Sequence, residues 1–204
     1  MALANYSDLV DAVANWVDRT NLTARIPEFI TLAEAKFNRN LRTKEMESVS
    51  SGLTMTAGTD TYAFPTGALA ITKFRLIASQ IYELDQLSKE LLVRKFPNNA
   101  SGLPKAFAID GNQLLVRTTP DSDYSYELSY YSSIPDLQTN STNWLMTRYP
   151  DAYLYGALME VAPYLKDREE IVIWDAKLSR ALDEIRSADI KDRWSGGSLQ
   201  MRIV

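Results

Sequence analysis

Histidine and cysteine are both absent from the 204-residue chain. Without them no Ser-His-Asp or Cys-His nucleophile system, no disulfide framework and no typical zinc site can be built. Catalysis would have to rest on paired carboxylates or on Lys and Tyr chemistry. No cofactor is predicted, because the sequence has no nucleotide fingerprint and no glycine loop that would cradle a phosphate.

A basic charge excess and long apolar runs are also missing. The chain has 22 Lys and Arg against 26 Asp and Glu, a formal net charge of −4, which argues against a strongly basic duplex-DNA binder. No run of about 18 apolar residues occurs, so no membrane span is expected. The first residues lack a basic region followed by a long apolar stretch, so no secretory signal is expected.

Helical periodicity dominates residues 1–42. Ser7 is the expected N-cap of a first helix, and Pro27 lies near the start of a second, where a missing N–H costs little. The two apolar stripes are Leu9, Val10, Val13, Trp16 and Val17 in the first helix, and Ile26, Ile30, Ala33, Phe37 and Leu41 in the second.

The period changes over residues 43–142. Tyrosines and Leu128 alternate with polar residues over 124–130, as in a half-buried strand. Asp110-Gly111 supplies the turn of a hairpin, because a turn of this kind requires positive φ. Further extended segments are predicted over 49–56, 61–64, 69–77 and 80–84, with one short helix over 85–96.

Helical spacing returns over residues 143–194. Pro150 is placed to start a helix, Pro163 is expected to kink or end it, and Asp167 is expected to cap a final helix. The stripe of that final helix is Ile171, Trp174, Leu178, Leu182 and Ile185, and Gly196 and Gly197 are expected to stop it. The predicted fold class is α+β: a helical bundle from the N- and C-terminal helices (1–42 and 143–194), an inserted antiparallel β-domain (43–142) and an extended C-terminal arm (195–204).

Two carboxylate pairs in the β-rich middle are the candidates for acid hydrolysis: Glu83 with Asp85, and Asp121 with Asp123. Both pairs lie beside predicted turns, where exposed acids are common, so the signal is weak. The tyrosines offer a second candidate, a carbohydrate or protein surface, although tyrosines that alternate along a strand more often fill a core. Tyr131, out of phase with Tyr124, Tyr126 and Tyr130, is expected at the surface.

The C-terminal arm is the least ordinary segment. Apolar side chains follow a glycine pair, and exposed apolar segments tend to mark contacts. Chain termini also fray, so both interpretations stay open on physical grounds. The apolar residues of the arm are Leu199, Met201, Ile203 and Val204.

Three parts of the sequence stand out together. They are the second helix with its continuation (26–42 and 45–47), the stretches 147–158 and 162–167, and the ending Asp192-Arg193-Trp194-Ser195-Gly196-Gly197. In this order they resemble the head-to-tail adaptor (connector) proteins of tailed bacteriophages. The resemblance implies a non-enzymatic structural virion protein that forms a ring, usually of twelve copies, joining the portal protein to the tail or nozzle protein.

The resemblance also gives the arm a purpose, since such adaptors use a C-terminal segment to engage the portal. It implies synthesis in the bacterial host cytoplasm, a final place in the virion neck, and DNA that passes through the ring without specific binding. The alternatives are another neck or tail-completion protein and, less favoured, a carboxylate-dependent glycosidase or sugar-binding module. The expected portal-binding residues are Trp194, Leu199, Met201, Arg202, Ile203 and Val204.

Overall fold

The structure is a computed structural model that describes residues 3–194. The chain divides into two compact units. Among the described residues, a helical unit contains residues 3–46 and 134–194, and a β unit spans Glu47–Ser133. Helices and strands are both abundant, which confirms the predicted α+β class. The elements in chain order are α1 (Tyr6–Val17), α2 (Ile26–Asn40), β1 (Glu47–Met55), β2 (Thr61–Ala63), β3 (Ala68–Ile77), β4 (Ile81–Glu83), β5 (Asp85–Gln86), α3 (Lys89–Lys95), β6 (Ala106–Asp110), β7 (Gln113–Arg117), β8 (Tyr124–Ser132), α4 (Leu137–Asn140), α5 (Trp144–Arg148), α6 (Pro150–Leu165) and α7 (Arg168–Trp194).

The β unit is shorter at both ends than the predicted insertion over 43–142. Residues 43–46 and 134–142 belong to the helical unit instead. The reason is burial: Met46 is 1% exposed and Leu137 is fully buried within that unit. The short helix α4 lies in this region, where a polar loop had been expected, and the short helix α5 follows it.

Helix α1 starts earlier than its expected cap. The side chain of Asn5, and not that of Ser7, accepts the backbone N–H of Asp8 at 3.0 Å. Asn5 has extended backbone angles, so its oxygen can reach the third helical N–H, whereas Ser7 already lies inside the first turn. The buried face is also narrower than the predicted stripe, because Trp16 is 54% exposed.

Helix α2 packs closely on α6. Pro27 occupies its first turn and the predicted stripe is buried, which confirms both expectations. At Gly156 of α6 an added Cβ would lie 2.7 Å from Cζ of Phe37, so a side chain there would collide with the ring. The rings of Phe37 and Tyr153 meet edge to face with centroids 5.1 Å apart.

Lys166 and Asp167 join helices α6 and α7. Pro163 lies in the last turn of α6, which continues to Leu165 before Lys166 turns into the left-handed region with φ of 60°. Asp167 accepts the backbone N–H of Glu170 at 3.2 Å, which confirms it as the cap of α7. Helix α7 buries Leu178, Ala181, Leu182 and Ile185.

Two four-stranded sheets make up the β unit, in the orders β1-β8-β3-β4 and β2-β7-β6-β5. The pairing is antiparallel except between β5 and β6. The hairpin β6–β7 turns at Gly111 with φ of 60°, as predicted. The helix predicted over 85–96 is wrong at its start: Asp85 and Gln86 pair with β6, and Ser88 caps α3. Side chains from both sheets share one core: Met55, Ile71, Phe74, Leu76, Leu84, Phe107, Leu114, Val116, Tyr126 and Leu128.

The helical unit contains a buried carboxyl group. Glu34 of α2 is 7% exposed, and its Oε1 accepts the backbone N–H of Leu137 at 2.9 Å and the hydroxyl of Tyr153 at 3.3 Å. Asn143 donates to the Tyr153 hydroxyl at 2.7 Å. Burial raises the pKa of Glu34 and that of Tyr153 above their ordinary values. These hydrogen bonds tie α2 to the chain that returns from the β unit.

Candidate functional site

The C-terminal end of α7 carries two large apolar side chains in solvent. Trp194 is 75% exposed and Ile190 is 59% exposed. They are four residues apart, so they lie on the same side of the helix. We call Ile190 and Trp194 the terminal apolar surface. Exposed apolar side chains grouped in this way are typical of contact sites.

Polar contacts fix this helix end to the segment that follows α2. Asp189 accepts the backbone N–H of Lys44 at 2.7 Å and Nε of Arg193 at 2.8 Å, using its two carboxylate oxygens. Nζ of Lys44 lies 2.6 Å from the carboxylate of Asp192. The hydrogen bond from Lys44 and its charge lower the pKa of Asp192. The terminal apolar surface is therefore presented on a helix end that has partners.

Two arginines extend these contacts. Arg186 donates from Nη2 to the backbone oxygen of Asn40 at 3.1 Å, and it also pairs with Asp183 at 2.8 Å. Arg148 of α5 pairs with Glu45. Exposed ion pairs contribute about 0–1 kcal/mol each, so the attachment depends on several contacts acting together.

The structure describes Trp194 among the residues predicted to bind a portal. It is the last residue of α7, and its indole ring faces solvent. The expected stop at Gly196 and Gly197 lies outside residues 3–194, so the structure gives no account of it. The other predicted portal-binding residues also lie outside the described part of the chain: Leu199, Met201, Arg202, Ile203 and Val204.

A second surface, not foreseen in the sequence, lies at the other end of α7. There α1, α6 and α7 line a cleft of about 430 Å³, with Trp16 and Trp174 in its wall and Leu158 and Leu165 among the apolar residues. The two indole centroids are 5.4 Å apart, and Nζ of Lys177 lies 4.7 Å from the Trp174 ring. Both tryptophans match a helical stripe and were predicted as core. The only sequence signal for this cleft was the general rule that tryptophan is rarely buried completely.

The carboxylate pairs considered for hydrolysis serve turns and ion pairs. Asp123 accepts the backbone N–H of Ala57 at 2.8 Å, and Asp121 accepts the hydroxyl of Tyr124 at 2.7 Å. Asp85 lies 4.0 Å from Nζ of Lys95, and Glu83 is exposed on β4. Within residues 3–194, no group of three or more acidic side chains is placed to hold a metal ion. The described contacts give Asp85, Asp121 and Asp123 structural roles.

The tyrosine strand contributes to the core of the β unit. Tyr126 is 6% exposed, its ring lies 5.8 Å from Tyr62 and 5.2 Å from Phe74, and burial raises its pKa. These contacts confirm the core interpretation for Tyr126. Tyr131, expected at the surface, is half-buried and donates its hydroxyl to Glu47 at 3.4 Å.

Comparison with protein families connects these features. A family model described as SU10 adaptor protein matches residues 4–202, nearly the whole chain. The chain belongs to the SU10 adaptor protein family. This is a family of phage head-to-tail adaptors, which confirms the resemblance seen in the sequence. A comparison with curated proteins finds no match.

Membership of the SU10 adaptor family identifies a structural adaptor protein of a bacteriophage. It implies a place in the virion neck and interaction with other head and tail proteins. No helix in the described part of the chain is long and apolar enough to cross a membrane. For a protein that works by binding neighbours, the terminal apolar surface and its anchoring contacts are the best-defined candidate site.

Proposed function

We propose that the adaptor forms the ring that joins the portal protein to the tail or nozzle protein around the DNA channel. The proposed ring has about twelve copies, as the family resemblance implies. Within each copy, the N- and C-terminal helices form a bundle, the β unit is the inserted domain, and residues 195–204 form an arm that binds the portal. The proposed portal contacts are Trp194, Leu199, Met201, Arg202, Ile203 and Val204.

The observation that carries this proposal is the exposure of Trp194 at the point where the arm continues from α7. Its ring is 75% exposed, and Ile190 lies beside it one helical turn earlier. Tryptophan is enriched among the residues that dominate binding energy at protein interfaces. The contacts of Asp189 with Lys44 and Arg193 hold this helix end, so less order has to be gained on binding.

The charge of the chain supports the conduit part of the proposal. Its formal net charge is −4. Each neutralised phosphate adds salt-dependent affinity for DNA, so a protein that must let DNA pass benefits from few such contacts. A ring also requires head-to-tail interfaces between copies that close on rotation. Further contact surfaces besides the portal site are therefore part of the proposal.

Mass measurement by light scattering tests the ring. The full chain is measured alone and with the matching portal protein at moderate salt. We expect a portal-bound complex containing about twelve adaptor copies. An adaptor that ignores the portal but assembles on a purified tail protein would overturn the portal role and favour the neck or tail-completion alternative.

Two variants test the portal contact. Deleting residues 195–204 should abolish portal binding, and Trp194→Ala should weaken it by about 30-fold, as for a central aromatic anchor. Val172→Ala is the matched control, because Val172 lies on the same helix, is 69% exposed and is about six helical turns from Trp194. Circular dichroism checks that each variant is folded. Full-strength binding by the deletion variant would refute the proposed contact.

A further inference from the structure

The segment 40–46 runs from the last residue of α2 to the residue before β1, so the chain passes through it on its way into the β unit. The last turns of α7 contact this segment in several places. Lys44 is held at two atoms: its backbone N–H donates to Asp189 at 2.7 Å, and its Nζ lies 2.6 Å from Asp192. Arg186 adds a hydrogen bond to the backbone oxygen of Asn40 at 3.1 Å.

The residues that make these contacts are sequence neighbours of Ile190 and Trp194, the two residues of the terminal apolar surface. Asp189 precedes Ile190, and Asp192 and Arg193 precede Trp194. Because these residues share two helical turns, a movement of the helix end would displace the polar contacts and the apolar surface together. Asp189 is the central group, since its two oxygens serve Lys44 and Arg193 at once.

We propose that residues 186–193 of α7 act as a clasp on residues 40–46, and that a partner bound at Ile190 and Trp194 tightens this clasp. The second half of the proposal rests on the proposed portal contact, whereas the first half does not. A partner that binds only the clasped form stabilises that form by mass action. The coupling is reciprocal, so a weakened clasp also weakens binding of the partner.

The clasp is suited to local opening. Side chains of Lys44 and Asp192 are 39% and 50% exposed, so water competes for their ion pair. The hydroxyl of Thr43 is buried without a hydrogen-bond partner in the described structure, which disfavours the closed form. Segments with such contacts open at lower free energy than the whole domain. Binding energy from a partner can therefore change how often this segment opens.

Hydrogen–deuterium exchange of the full chain tests the clasp without any partner. We expect Asp189→Ala to raise exchange at residues 43–46 about tenfold, because a charge-assisted hydrogen bond is lost. Asp192→Ala should raise it less, and Thr43→Val should lower it. Glu184→Ala is the control, since Glu184 is an exposed acid on the same helix that pairs with Arg180.

Exchange in α6 shows whether a variant has unfolded more widely, and Lys44→Met provides a milder second break. If both the Asp189 and Lys44 variants exchange at the wild-type rate over residues 43–46, the clasp is overturned. Adding the portal protein should slow exchange over residues 43–46 in the wild type. Portal binding without such slowing overturns the coupling and leaves the proposed function standing. If no portal binds, the proposed function and the coupling fail together, while the clasp is judged from the free chain.

Discussion

The two units of the adaptor are stabilised in different ways. The core of the β unit is made of apolar and aromatic side chains from two sheets, with Phe74 and Phe107 centroids 5.1 Å apart. In the helical unit, Glu34 and Asn143 are buried with their hydrogen-bond partners. Gly156 permits a close approach of α2 and α6 that a larger residue would prevent.

This difference decides whether neighbouring contacts in each unit can compensate when a single contact is lost. A core of many similar apolar contacts depends mainly on the area removed from water and on volume. A buried carboxyl and a glycine contact each have a single set of partners, so their loss cannot be made good by neighbours. We therefore expect cavities to be the main threat to the β unit, and small changes of shape or charge to affect the helical unit.

The largest expected effect is a cavity in the β unit. Phe74 is fully buried and contacts Phe107 and Tyr126, so Phe74→Ala should destabilise the unit by about 3–5 kcal/mol. Hydrogen exchange of β3 and β8 measures the loss. Ile81→Ala is the control within the unit, because Ile81 is 69% exposed and its truncation should cost less than about 0.5 kcal/mol. Equal losses for both variants would contradict the picture of a core governed by burial.

A smaller effect is expected from one added methyl group in the helical unit. Gly156→Ala gains up to about 1 kcal/mol in helix propensity but places Cβ 2.7 Å from the Phe37 ring. Overpacking costs about 1–3 kcal/mol, so we expect a net loss of up to about 2 kcal/mol in denaturant unfolding. In a Phe37→Leu background, Gly156→Ala should cost less than it does in the wild type, because the ring that its Cβ would meet is gone. Stabilisation by Gly156→Ala would show that the Phe37 ring can move aside at little energetic cost.

The same difference explains what the sequence could predict. The alternation over 124–130 and the Asp-Gly turn are local signals, and they correctly predicted β8 and the β6–β7 hairpin. The short strand β5 was missed because Asp85 and Gln86 pair with β6, about twenty residues away, and nothing local distinguishes this pairing from a helix start.

The limit of prediction from local sequence is clearer in the helical unit. Helices α2, α6 and α7 were predicted from periodicity, caps and proline positions. The burial of Glu34 was not predicted, because its partner Leu137 is 103 positions further along the chain. For the candidate site, the sequence predicted that Trp194 matters only through resemblance. The anchoring of Lys44 by Asp189 spans 145 positions and has no sequence signature.

The smallest predicted effect concerns the charge of Glu34. Burial raises the pKa of its carboxyl above the usual value of 4.5, so the folded protein holds this proton more tightly than the unfolded chain does. The associated stability is fully present below about pH 4.5 and is lost as pH rises through the higher pKa of the folded state. Glu34→Gln keeps an oxygen to accept the Leu137 N–H but carries no charge. Its stability relative to wild type should therefore increase with pH.

Denaturant unfolding of both proteins at a series of pH values from 4 to 8 measures this difference. Other carboxylates titrate in both proteins, so their contributions cancel when one curve is subtracted from the other. Glu28→Gln is the matched control for removing a carboxylate from the same helix, because the Glu28 side chain is 63% exposed and its ion pair with Arg25 lies in solvent. A flat difference curve for Glu34→Gln would mean that the buried carboxyl costs the helical unit nothing. The contrast with the β unit would then rest on the glycine contact alone.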